Sequence, residues 1–178
     1  MTTVRSFLAG HPQRARAVAV ASVVALSIAW YLGSPLFIRT YTNETFPAAP
    51  AATAAPVSTS RATNAPAVGA RVLAQGELRY LDAVHNGKGP VRIVELGGQR
   101  FVRFEDVAIT NAPDIHVYLS RESGGKWSEP ASLYLGALKA TDGSFNYEVP
   151  AGMTVADYKS VVLWCRAFGV LITWAEFV

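Results

Sequence analysis

The chain has 178 residues, enough for one ordinary domain with accessory segments, and this length excludes a large multidomain enzyme. Its composition of 51% hydrophobic and 16% charged residues argues against wholesale disorder. The basic charge lies in residues 1–71, which hold six arginines and one acid, and the mildly acidic remainder predicts no nucleic acid partner.

Residues 17–38 are the first predicted element, a transmembrane helix. They carry no charge and would span about 33 Å as a helix, enough for the hydrocarbon core of a bilayer. Arg5, Arg14 and Arg16 precede the stretch, so the positive-inside rule places residues 1–16 in the cytoplasm. A cleaved signal peptide is the alternative, although no A-x-A site follows directly. We therefore expect a single-pass cell-membrane protein with an extracytoplasmic C-terminal domain.

Residues 39–71 are predicted to be a linker between the membrane and the folded domain. Within them, residues 47–68 contain nine Ala, four Pro and five Ser or Thr. Such a composition cannot build a hydrophobic core, and it favours an extended, semi-rigid spacer. The folded domain is then expected over residues 72–178.

The apolar pattern of this domain has a period of two. Residues 115–119 (IHVYL) and 144–149 (SFNYEV) alternate in polarity, as half-buried strands do, and Gly-rich turn signals separate further candidates. Gly97-Gly98 and Asp142-Gly143 predict two-residue hairpins. Residues 155–159 predict a helical turn with Thr154 as its N-cap. We expect an all-β fold, an antiparallel sandwich or barrel-like domain of about seven to nine strands.

Familiar catalytic motifs are missing from the sequence. It contains no G-x-S-x-G elbow, no Walker loop, no G-x-G-x-x-G and no H-E-x-x-H. The single cysteine excludes an intrachain disulfide framework and a cysteine-based zinc cluster. A conventional enzyme is therefore not expected.

Cys165 is nevertheless a candidate redox thiol. In residues 161–168 (VVLWCRAF), a period of two places Cys165 beside Val161 and Leu163 and turns Trp164 to the other face. An apolar neighbourhood suppresses thiol chemistry and favours an inert, buried cysteine. A lone cysteine outside the cytoplasm can also serve intermolecular bonding, redox chemistry or metal binding, so both interpretations remain open.

Four further residues are candidates for binding. Histidines in positions such as those of His85 and His116 are more often surface residues than ligands. A His85–Cys165 pair, with or without His116, could nevertheless hold a soft metal or haem iron. The sequence identifies no definite cofactor. Asp114, in a turn, and Trp127, beside a Gly-Gly loop, are candidate binding-loop residues.

The order of several short motifs resembles the DM-thirteen domain family over about residues 73–177. The motifs that carry the resemblance lie at residues 82–89 (DAVHNGKG), 101–106 (FVRFED), 111–120 (NAPDIHVYLS), 135–139 (LGALK) and 158–168 (YKSVVLWCRAF). Ala112 stands where the family usually has Gly, and residues 171–176 (LITWAE) replace a more familiar aromatic-Gly ending.

The resemblance implies a β-rich extracytoplasmic domain for electron transfer at the cell surface. In animals such domains occur beside DOMON and cytochrome-b-like modules, and the family's suspected redox residue corresponds to Cys165. Since no such module is found in these 178 residues, the implied electron partner is another protein. The alternative hypothesis is a non-catalytic cell-surface binding or structural module that uses the loops of a β-sandwich.

Overall fold

The computed structural model describes residues 12–36, 38–46 and 69–178. The chain divides into two compact units, Met1–Ile38 and Arg39–Val178. In the first unit, helix α1 (Pro12–Gly33) is followed by a 3-10 turn (Ser34–Leu36). The helix buries no residue within the protein and is long and apolar enough to cross a membrane, as either an anchor or a signal sequence. It begins earlier than predicted and ends at Gly33, two residues before Pro35, which is unfavourable in a helix interior.

The second unit, which we call the β unit, contains ten strands among the described residues. They are β1 (Tyr41–Asn43), β2 (Arg71–Glu77), β3 (Gly87–Lys88), β4 (Pro90–Leu96), β5 (Gln99–Ile109), β6 (Ile115–Ser120), β7 (Ser132–Ala137), β8 (Asp142–Val149), β9 (Ser160–Cys165) and β10 (Val170–Glu176). Two short 3-10 turns, Glu129–Ala131 and Val155–Asp157, lie between strands.

These strands form two sheets, which confirms the predicted all-β fold with a sandwich-like arrangement. The first sheet has the order β1-β8-β5-β4-β2, with β3 paired to β5, and the second has the order β10-β9-β6-β7. The count exceeds the predicted seven to nine because β1 comes from the predicted linker and β3 is only two residues long.

The period of two in the sequence produces the core between the sheets. Alternate residues of both sheets are fully buried and belong to one hydrophobic cluster, including Val91, Ile93, Val102, Phe104, Phe145, Val117, Leu119, Val161 and Leu163. Burying apolar area at about 25 cal/mol per Å² is the main term that stabilises such a fold. Cys165 belongs to this cluster as well.

One of the two predicted hairpins is confirmed and the other is wrong. Gly97 and Gly98 have φ of 60° and 83°, and they join β4 to β5 as a two-residue hairpin. Asp142 and Gly143 instead begin β8, which lies in the first sheet while β7 lies in the second, so they connect no hairpin. The 3-10 turn Val155–Asp157 follows Thr154, whose side chain makes no capping hydrogen bond.

Residues 39–46, the first part of the predicted linker, belong to the β unit and are held against its other strands. Strand β1 pairs in parallel with β8, and Arg39 forms an ion pair with Asp142 at 2.6 Å. Glu44 contacts Lys139 Nζ at 2.7 Å, and its carbonyl accepts a hydrogen bond from Arg103 at 2.9 Å. We call residues 39–46 the docked segment. The rest of the predicted spacer, residues 47–68, lies outside the described residues.

The docked segment is expected to loosen in acid. A hydrogen bond from Arg39 lowers the pKa of Asp142 below its ordinary value of 3.8. Burial acts to raise the pKa of Glu44, but hydrogen bonds from Lys139 and Asn146 outweigh it and hold that pKa below 4.5. Because both values are lowered in the folded state, their stabilisation is complete above the ordinary values and is lost as the pH falls through the lowered ones.

Hydrogen exchange provides the measurement. The Glu44 amide donates to the Ser144 carbonyl at 2.7 Å, and its protection factor should fall below pH 3.8 before that of the core residue Leu119 does. A protection factor that follows Leu119 throughout the acid range would show that the two ion pairs do not hold the segment.

Candidate functional site

The outer face of the second sheet, opposite the core, carries a group of aromatic residues. The register of β6 with its neighbours places His116 opposite Trp164 of β9 and Tyr118 opposite Tyr134 of β7. Side chains at directly paired positions lie on the same face of a sheet. The pairing therefore gathers rings from three strands that are distant in sequence.

The loop formed by residues 121–131 folds over this face. Ser120 Oγ donates to the Lys126 carbonyl at 3.0 Å, and Ser160 Oγ donates to the Glu122 carbonyl at 2.9 Å. Gly125 has a φ of 72°, and a Cβ there would lie 2.6 Å from the Trp174 ring, so this contact requires glycine. The loop is therefore held at fixed points against the sheet.

The loop places Trp127 against the rings of the sheet. Trp127 stacks on Trp164 with centroids 4.9 Å apart and meets Tyr118 edge-on at 5.2 Å. Tyr118 is 5.4 Å from Tyr134, which is 5.5 Å from His116. We call these five residues the aromatic row. Neighbouring rings are in contact throughout it, at the separations typical of aromatic pairs.

A fixed positive charge lies against the aromatic row. Arg166 Nε donates to the Tyr118 hydroxyl at 2.7 Å, and its guanidinium carbon lies 4.7 Å from the centroid of Tyr134. The hydrogen bond with Tyr118 raises the pKa of Arg166, so the guanidinium remains charged. A cation over a ring face is attracted to the electron density of the ring.

Tyr134, His116 and Asp114 form a hydrogen-bonded chain at one end of the row. The Tyr134 hydroxyl lies 2.9 Å from His116 Nδ1, and His116 Nε2 lies 2.6 Å from Asp114 Oδ1. Because a carboxylate only accepts, Nε2 carries a proton, and in the neutral form of the ring Nδ1 then accepts from the tyrosine. His116 is buried, with 7% exposure, whereas Tyr134 is 46% exposed.

Cys165 lies behind this chain, on the core face of β9. Its sulfur donates a hydrogen bond to the Pro113 carbonyl at 2.8 Å, and the following residue, Arg166, donates its amide to the Asp114 carbonyl at 3.0 Å. Asp114 has a φ of 62°, an uncommon conformation for a non-glycine residue. The end of β9 thus supports the turn that presents Asp114 to His116.

Burial predicts that the thiol of Cys165 is protected in the native protein. The cysteine is free and 0% exposed, and a reagent needs access to the sulfur to react with it. An aromatic disulfide reagent should therefore titrate almost no thiol in the native chain and one thiol per chain after denaturant is added. Prompt native reaction would contradict the packing of β9.

The structure brings together four of the five residues that the sequence singled out. Cys165, Asp114 and His116 lie around the start of β6, where Cys165 binds the Pro113 carbonyl and His116 binds Asp114, and Trp127 lies in the same aromatic row as His116. His85 instead pairs with Asp82, Nδ1 to Oδ2 at 2.8 Å, in the loop before β3. The ligation of a metal or haem by His85 and Cys165 stays a prediction.

Within residues 12–36, 38–46 and 69–178, no group of three His, Cys, Asp or Glu side chains is placed to hold a metal ion.

Sequence reasoning had missed Tyr118, Tyr134, Trp164 and Arg166 as site residues. Their only signal was the alternation of their strands, which marks a face without saying which rings share it.

Comparison with known proteins gives one finding. A match to the family described as electron transfer DM13 covers residues 81–177, more than half of the chain. Neither a curated protein nor a solved structure matches. The matched residues include β3 to β10 and the whole aromatic row, whereas α1 and the docked segment lie outside the match.

Proposed function

Because the chain belongs to the electron transfer DM13 family, we propose that it is a redox module that passes single electrons along its aromatic row. The observation that carries this proposal is the unbroken contact from Trp164 through Trp127 and Tyr118 to Tyr134. Tryptophan and tyrosine are the aromatic side chains most easily oxidised by one electron. Since electron tunnelling falls off steeply with distance, rings in contact support rapid transfer between neighbours.

The environment of Cys165 disfavours thiol–disulfide exchange as the electron-transfer step. Such exchange requires a thiolate that can reach a disulfide sulfur, and Cys165 Sγ is fully buried and engaged with the Pro113 carbonyl. The redox role of Cys165 stays a prediction that the thiol titration addresses. In our proposal the cysteine supports the turn at Asp114, and the aromatic row carries the electron.

We further propose that α1 anchors the module in the cell membrane with residues 1–16 in the cytoplasm. The apolar character of α1 and the arginines of the N-terminal part support this orientation. The β unit would then meet an extracytoplasmic redox partner protein. Protease added to intact cells should remove residues 69–178. A β unit that stays intact in whole cells and is cleaved only after the membrane is permeabilised would contradict the orientation.

Pulse radiolysis of the full chain in nanodiscs tests the electron route. Azide radicals oxidise tryptophan in preference to tyrosine, so the indolyl radical absorbance should decay as the tyrosyl absorbance rises. Replacing Trp127 by leucine removes the ring between Trp164 and Tyr118 and should suppress most of the tyrosyl rise. Trp30→Leu, which removes an exposed ring of α1, is the matched control and should leave it unchanged.

The comparison with Cys165→Ser separates the two redox hypotheses. This variant should keep the tyrosyl rise, because its side chain lies on the core face of β9 and outside the row. A rise that is lost in Cys165→Ser and kept in Trp127→Leu would overturn the aromatic route. No transfer in the wild-type chain would favour the alternative, a non-catalytic binding or structural module.

A further inference from the structure

We propose that Tyr134 is a proton-coupled electron donor, whose phenolic proton moves to His116 as its electron leaves for a high-potential one-electron oxidant. The inference rests on the proposed redox function and assigns one end of the aromatic row as the place where an external oxidant reacts. It is carried by the chain Tyr134–His116–Asp114, whose contacts are 2.9 and 2.6 Å.

The geometry provides a proton acceptor for the phenol. His116 Nδ1 accepts the hydrogen bond from Tyr134 because Nε2–H is directed at Asp114 Oδ1. Asp114 holds the ring in this tautomer and stabilises the imidazolium that forms when the proton arrives. These are the roles of the neutral imidazole, in which Nε2–H donates to the carboxylate and Nδ1 is left to accept from the phenol.

The positive charge of Arg166 favours oxidation that is coupled to proton transfer. Its guanidinium lies 4.7 Å from the centre of the Tyr134 ring, so a cation radical on that ring would be strongly disfavoured. If the proton moves to His116 as the electron leaves, the product on Tyr134 is a neutral radical with no charge to repel. Oxidation without proton transfer is therefore the unfavourable path.

The step balances in atoms and charge. The Tyr134 O–H bond breaks, and its proton forms an N–H bond at His116 Nδ1. The electron passes to the oxidant and lowers its oxidation state by one. The products are a neutral tyrosyl radical and an imidazolium paired with the Asp114 carboxylate. In the return step, an electron arriving through Tyr118 and the same proton restore the phenol.

Tyr134 and His116 differ in solvent exposure, and the difference suits them to separate parts of the step. Tyr134 is 46% exposed and can meet an oxidant at the surface of the β unit, whereas His116 is 7% exposed and retains the proton close to the oxygen. A proton that stays within the hydrogen bond can return rapidly, so the radical is reversible. The oxidant that fits is a high-potential one-electron acceptor, on a partner protein or as a small radical.

Flash photolysis of the full chain in nanodiscs tests the step, with tris(bipyridine)ruthenium(III) generated by the flash as the oxidant. In the wild type the tyrosyl radical should form, and it should form more slowly in D2O. His116→Gln, which can accept a hydrogen bond but not a proton, should slow its formation. Asp114→Asn, a milder change that weakens the base, should slow it less.

Tyrosine variants identify the radical. Tyr134→Phe should remove most of the signal, while Tyr80→Phe, at an exposed tyrosine of the β unit, should leave it unchanged. A signal that survives Tyr134→Phe would overturn the assignment. A rate unaffected by both D2O and His116→Gln would overturn the proton transfer, and the D2O measurement needs no variant that has to fold.

The outcome is separable from that of the proposed function. Trp127→Leu should leave the oxidation of Tyr134 by the external oxidant intact, because the oxidant reaches that ring directly. A failure of transfer from tryptophan to tyrosine, with a normal Tyr134 radical, would therefore overturn the electron route alone. A normal transfer with no effect of D2O or His116→Gln would overturn only the proton coupling.

Discussion

Replacing Phe104 by alanine is expected to lower the free energy of unfolding of the β unit by about 3–5 kcal/mol. Phe104 is 0% exposed at the centre of β5, where its ring stacks on Phe145 with centroids 4.9 Å apart and meets Tyr147 edge-on at 5.9 Å. Truncation removes buried apolar area and leaves a cavity that the two sheets cannot fill without moving. Urea unfolding monitored by tryptophan fluorescence measures the loss.

Phe168→Ala is the matched control for that measurement. Phe168 is 50% exposed in the turn between β9 and β10, so its replacement should change the free energy of unfolding by less than about 0.5 kcal/mol. Equal losses in the two variants would contradict the placement of the core between the sheets.

Gly143→Ala is expected to release the docked segment while leaving the two sheets folded. Gly143 has a φ of 103°, and a Cβ there would lie 2.1 Å from the Thr42 carbonyl oxygen, a backbone atom of β1. An alanine thus introduces backbone strain of about 1–3 kcal/mol and a steric clash that moving a side chain cannot relieve. The amide of Glu44 should lose its protection from hydrogen exchange, while that of Leu119 keeps it.

Gly152→Ala separates strain from clash. Gly152 also has a positive φ, of 84°, but a Cβ there would meet nothing within 4 Å. This variant should destabilise the β unit through strain alone and leave Glu44 protected. If both variants expose Glu44 to the same extent, the docking of β1 does not depend on the close approach at Gly143.

Most strands of the β unit were predictable from sequence, but β1 and the assignment of the strands to sheets were not. Alternation of apolar and polar residue types marks β6 and β8 with a period of two. The expected half-buried character is wrong for β6, all six residues of which are buried, because the loop of residues 121–131 and neighbouring side chains cover its outer face. Asp142-Gly143 has the chemistry of a hairpin turn, yet β7 and β8 belong to different sheets. Turn chemistry reports a local backbone conformation, whereas the choice of sheet depends on which core surfaces meet.

The docked segment lay beyond sequence reasoning for a related reason. Strand β1 is three residues long, too short to show a period, and it follows an apolar helix closely. Its stability comes from Asp142, Lys139 and Arg103, which are distant in the chain. The local sequence of residues 39–46 therefore does not predict these contacts.

The site was predictable by residue type and not by arrangement. Cys165, His116, Asp114 and Trp127 were singled out because their side chains carry chemistry or expose a ring. Their relation depends on the register of β6 with β7 and β9, which brings in Tyr134, Tyr118 and Arg166. A shift of one residue in either pairing would turn Tyr134 or Trp164 to the core.

The same register gives Cys165 a second role besides the one suggested by the family resemblance. Its sulfur and the amide of Arg166 both bind the turn at residues 113–114, so the cysteine supports Asp114 from the core side. A redox cysteine is expected to react with a thiol reagent in the native protein, whereas a supporting cysteine is expected to be inaccessible until the protein unfolds. The thiol titration distinguishes these roles without any variant.

The dependence of radical transfer on protein concentration tests the central claim most directly. After azide radicals oxidise the wild-type chain in nanodiscs, the first-order rate constant for the conversion of indolyl to tyrosyl radical should stay the same when the protein is diluted. This is expected because Trp164, Trp127, Tyr118 and Tyr134 lie in contact within one molecule. A rate proportional to protein concentration would place the transfer between molecules and contradict the aromatic row as an electron path.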